Sequence, residues 1–142
     1  MSRQTYENLI EIIKTKLEGI SELIEVLAYG ESQFSGYPSA TIQISAGEGV
    51  AKDTARNERI FEFDIDLYQE YSEGGKTKLE ATNTMIKAID KVIEAFDIDN
   101  NFGGQVVVVE VIPLRLDTTV RSGVFLFAQF KIRCHDLVNN YN

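Results

Sequence analysis

The chain has 142 residues, which favours a single domain, and 44% apolar against 25% charged residues excludes wholesale disorder. Its longest unbroken apolar runs are about five residues, against the roughly 20 that a membrane helix needs, which excludes a helical span. A net charge of −8, from 22 acids and 14 bases, argues against gripping nucleic acid through a basic field, and the one cysteine, Cys134, excludes an internal disulfide or a multi-cysteine metal knot.

The first residues, Met1 to Glu7, carry no basic-then-apolar leader pattern, so synthesis and retention in the cytosol are expected. Tyr6, Leu9, Ile10, Ile13, Leu17 and Ile20 recur at spacings of three and four and predict a helix, capped by Thr5 or Ser2 and ended by Gly19. Glu22–Tyr29 reads as a short strand. Gly30 to Pro38 is a loop with a turn signal at Gly36-Tyr37-Pro38. Ala40, Ile42 and Ile44 alternate with polar neighbours as in a half-buried strand, and Ala46–Asn57 is expected to be a mobile hairpin loop.

Phe61, Phe63, Ile65 and Leu67 then point one way, with Glu62, Asp64, Asp66 and Tyr68 pointing the other. A second helix is predicted from about Lys76 to Phe96, with Leu79, Asn83, Ile86, Ile89, Ile93 and Phe96 as its inner stripe. After a turn-rich linker, Val106–Leu116 and Val124–Arg133 form a hairpin around a tip at Asp117–Gly123. The expected fold is α+β, in the order α-β-β-β-α-β-β. Two helices pack on one face of a mostly antiparallel four- to five-stranded sheet, short connections favouring antiparallel pairs. The core spans about 5–135, and 136–142 is expected to be a flexible tail.

The last two strands are apolar in both phases, at Val106-Val107-Val108-Val109 and Val124-Phe125-Leu126-Phe127-Ala128. Strands of this kind are covered on both faces, and two helices cover only one. Either loops fold over the second face or another subunit does. The second possibility makes Phe125, Phe127, Val107 and Val109 candidates for a subunit interface.

Several motifs fall short of chemistry. His135 is the only histidine; Cys134 beside it projects to the opposite strand face, so a shared metal is not expected, and a solvent-facing strand-end histidine is. Glu73-Gly74-Gly75-Lys76-Thr77 ends like a phosphate-binding loop, but Glu70 stands where its first glycine belongs, which leaves a turn opening a helix. Asp97-Ile98-Asp99-Asn100-Asn101 starts like a calcium loop, but Phe102 and Val108 occupy the glycine and bidentate-acid positions, which leaves a polar helix end and a Gly103-Gly104 turn. Gly47-Glu48-Gly49 lacks the third glycine of a dinucleotide fingerprint. Glu62, Asp64 and Asp66 put three carboxylates on one strand face, where Lys131 and Arg133 of the last strand can pair with them. No catalytic residue, metal or cofactor is expected.

The order of pieces resembles the tail terminator, or tail completion, proteins of long-tailed bacteriophages, loosely like the terminator of phage lambda. The likeness runs from Tyr6 to His135. It is carried by the first amphipathic helix, the strand ending at Tyr29, Gly36-Tyr37-Pro38 before Ala40–Ile44, and a polar loop. Asn57-Glu58-Arg59 then leads into the aromatic strand Ile60–Tyr68, followed by the second helix and the terminal hairpin. Related head–tail connector and neck proteins share this size and order.

The resemblance implies a non-enzymatic homo-oligomeric ring, a hexamer, in the virion. Such a ring caps the tail tube protein, ends its polymerisation and offers a surface to a head-side neck protein while DNA passes through the lumen without specific binding. It implies tube or neck contacts in the loop and tip, at Lys52, Asp53, Arg56, Asp117 and Arg121. Glu62, Asp64 and Asp66 would then form an acidic surface facing the lumen or a neighbour. A small-ligand or enzymatic α+β domain is the remaining alternative.

Overall fold

The structure is a computed structural model and describes residues 5–28, 36–45, 52–53, 58–71, 77–104, 106, 108–121 and 125–137. Helix α1 (Tyr6–Glu18) starts where the Thr5 hydroxyl accepts a hydrogen bond from the Asn8 N–H at 3.1 Å. It ends where the Gly19 N–H donates to the carbonyls of Thr15 and Lys16. Leu9, Ile10, Ile13 and Leu17 form its buried stripe, as their spacing predicts. Strands β1 (Glu25–Ala28) and β2 (Ser39–Ile44) follow. Between them the chain passes so close to Ile24 that a Cβ on Gly36 would stand 2.6 Å from Ile24 Cγ2.

The segment expected to be a mobile loop contains a short strand, β3 (Lys52–Asp53); the rest of it, Arg56 included, lies outside the described residues. Strand β4 (Glu58–Glu70) is the longest-spanning partner in the sheet: β2 pairs with its second half, β3 with its start and β6 along its whole length. Helix α2 (Lys78–Ile98) opens with a capping box, in which Thr77 and Glu80 exchange side-chain-to-backbone hydrogen bonds, both 3.2 Å.

The inner face of α2 differs from expectation. Its buried stripe is Ala81, Met85, Ala88, Val92 and Phe96, whereas Leu79 is 71% and Ile86 43% exposed. Both arcs are apolar and they overlap. The alanines decide between them, because their small side chains let the helix axis come close to the sheet, which large residues in the same places would prevent.

After α2, Phe102, Gly103 and Gly104 all take positive φ (51°, 67° and 93°) in a single 3-10 turn. This turn drops Phe102 into the core against Phe96, with ring centres 6.1 Å apart, and buries Val106. The valine run is therefore not one strand: β5 (Val108–Arg121) begins only at its third valine, and Val107 lies outside the described residues. Strand β5 also reaches Arg121, into the segment expected to be the hairpin tip, with register shifts at Pro113/Arg115 and Asp117/Arg121. Strand β6 (Phe125–Leu137) continues past His135 and buries Asp136, so the core runs further than expected.

The fold is α+β, a mixed sheet in the order β1-β2-β4-β6-β5 with both helices on one face. All pairs are antiparallel except β1 and β2, which run parallel; the rule that short connections give antiparallel neighbours fails there. The odd positions of β4 and the even positions of β6 face the helices and fill the core with Phe63, Ile65, Leu67, Phe130 and Ile132. Tyr6 closes one end of it, edge-on to Phe61 and Phe63. Among the described residues, no helix is long and apolar enough to cross a membrane.

Candidate functional site on the outer face of the sheet

The period of two along β4 and β6 sends Glu62, Asp64, Asp66 and Tyr68, with Phe127, Gln129, Lys131, Arg133 and His135, to the face away from the helices. Antiparallel register then sets them opposite one another: Glu62 with Arg133, Asp64 with Lys131, Asp66 with Gln129, Tyr68 with Phe127. The result is a polar ladder with an aromatic rung at one end.

Glu62 is the centre of the ladder. Its Oε2 accepts from Arg133 Nη2 at 2.9 Å and Nε at 3.0 Å, and Lys131 Nζ stands 3.9 Å away. Lys131 also donates to Ser45 Oγ at 3.1 Å. Asp66 accepts from Gln129 Nε2 at 3.0 Å and from Gln43 Nε2 at 3.4 Å. Although Asp64 lies opposite Lys131, its Oδ1 is buried with no hydrogen-bond partner among the described residues. His135 is not a free strand-end side chain: its Nε2 lies 2.5 Å from Glu110 Oε1 of β5, and the ring is largely covered. Burial, then the charge of Glu62, push the Tyr6 phenol above its ordinary value from the other side of the sheet.

These placements change the meaning of several sequence-derived candidates. The three acids do share one face, but Glu62 is 9% and Asp66 5% exposed, so they are tied into the ladder more than they are presented to solvent. Phe127 is 8% exposed and packs on Tyr68, ring centres 5.4 Å apart, within its own chain. Val109 points to the helices and belongs to the core. Neither offers a free apolar side chain to a partner. The apolar appearance of this hairpin in both phases comes in part from Val106, which precedes the strand and is buried beside the turn. Phe125, Lys52, Asp53, Asp117 and Arg121 lie on described strands, but their side chains are outside the described residues, as are Arg56 and Val107 altogether.

Cys134 and His135 project to opposite faces as their adjacency requires, and burial followed by the Asp136 charge pushes the Cys134 thiol up to about 12. At the calcium-like segment, Asp99 is already engaged: Oδ1 accepts from the Gly103 N–H at 2.9 Å and Oδ2 from Lys16 Nζ at 3.1 Å. These two bonds, that from Gly103 first, hold its carboxyl below the usual value. Lys16 also lies 5.9 Å and 5.8 Å from the ring centres of Phe96 and Phe102, so it clasps α1 to the end of α2.

Exposed apolar surface lies elsewhere, on α2 and beside β1. Leu79 and Ile86 stand on one flank of α2, Ile98 is 76% exposed at its end, and Ile24 is 62% exposed before the edge strand β1. Helical spacing pointed to Leu79 and Ile86 as core; the signal that would have placed them outside is the alanine pair, Ala81 and Ala88, two turns apart on the true inner stripe. No known protein family and no curated protein matches the chain.

Proposed function

We propose that this chain is a structural, ring-forming protein of a long-tailed phage virion, of the tail terminator type. The ring caps the tail tube, blocks addition of the next tube ring by occupying its docking surface, and presents its other side for head attachment. The sequence resemblance motivates the proposal, and the α+β fold is compatible with it. The observation that carries it furthest is the pair Leu79 and Ile86, large apolar side chains held out to solvent on α2, which a neighbouring copy would cover. The net charge of −8 adds support, since a chain of that sign lets DNA slide past without gripping it.

Purified protein examined by sedimentation and negative-stain imaging, alone and with tail tube protein, tests this. The expected outcome is ring particles and arrest of tube growth when the protein is added to polymerising tube subunits. A particle that stays monomeric alone and on the tube overturns the proposal. Capture of portal-side protein in preference to tube protein would assign the chain to the neck instead.

A further inference from the structure

We draw no further inference here: the strongest candidate, the carboxylate cluster of Glu62, Asp64 and Asp66 on the outer face of the sheet, carries nothing, because Glu62 and Asp66 are already bonded to Arg133 and Gln129, Asp64 is only half-buried, and nothing in the structure points to a ligand there.

Discussion

The two faces of the sheet meet within single residues of β4, and they are built by different physics. Phe63 turns to the helices and is fully buried among apolar side chains; Glu62, its neighbour, turns away and is covered almost as well, but by Arg133, Lys131 and the strands around them. The inner face is held by non-directional burial, which many aliphatic combinations could supply. The outer face is held by directional bonds, in which each group depends on the presence of its partner.

The sharpest way to break this comparison is to truncate both neighbours. Phe63→Ala should cost about 3–5 kcal/mol in urea unfolding, from lost burial and a cavity beneath α1 and α2. Glu62→Ala should cost less, about 1–3 kcal/mol, since Arg133 and Lys131 lose their anion but keep some access to water. The distinguishing result is the triple change Glu62→Leu, Lys131→Met and Arg133→Met. It should recover most of the loss of Glu62→Ala, because removing all the charges leaves none unpaired. A triple variant worse than the single would show that the ladder adds more than mutual neutralisation.

The same division explains what could be read in advance. Alternation in 61–68 and the matching phases of Lys131 and Arg133 were sufficient to place the ladder, because the strand period admits only two faces and charge prefers the wetter one. The α2 register was not readable from spacing, since a 3.6-residue period with apolar side chains on more than half the circumference permits two inner stripes. Close helix–sheet packing, a property of the assembled fold, selects the one with Ala81 and Ala88. The valine run misled for a related reason: a left-handed turn at Phe102–Gly104 spends Val106 on the core before the strand begins. The parallel β1–β2 pair had no local signal at all.

Two titrations sharpen the comparison on the side of the core and at the helix ends. Cys134 is protonated in the native state with its thiol pushed up to about 12 by burial and then by Asp136. A raised value means that this stabilisation is complete below the unfolded thiol's value of roughly 8.5 and is lost as pH rises toward 12. Native protein should therefore lose stability between about pH 8.5 and 10 faster than Cys134→Ala does, and a thiol reagent at neutral pH should label Cys134 only on unfolding. Asp99 has the opposite sign. Held below its ordinary value by the Gly103 N–H and then Lys16, it stabilises above the unfolded carboxyl's value of roughly 3.9, and that contribution is lost as pH falls through its lowered folded value. Asp99→Asn should flatten that part of the acid limb by a small amount, because the carboxylate is well exposed.

The smallest expected effect is the most informative about α2. Leu79 is a large apolar residue in a helix that packs on the core, and its size alone would rank Leu79→Gln among the damaging substitutions. In the observed register it stands 71% exposed, on a flank that none of the described residues covers. Leu79→Gln should then change unfolding free energy by less than about 0.5 kcal/mol, since glutamine is nearly as good a helix former and no cavity opens. A loss of about 2 kcal/mol or more would mean that α2 is turned so that Leu79, Ile86 and Ile93 face the sheet. The apolar stripe offered to a neighbour would vanish with it, and so would the strongest physical ground for a ring.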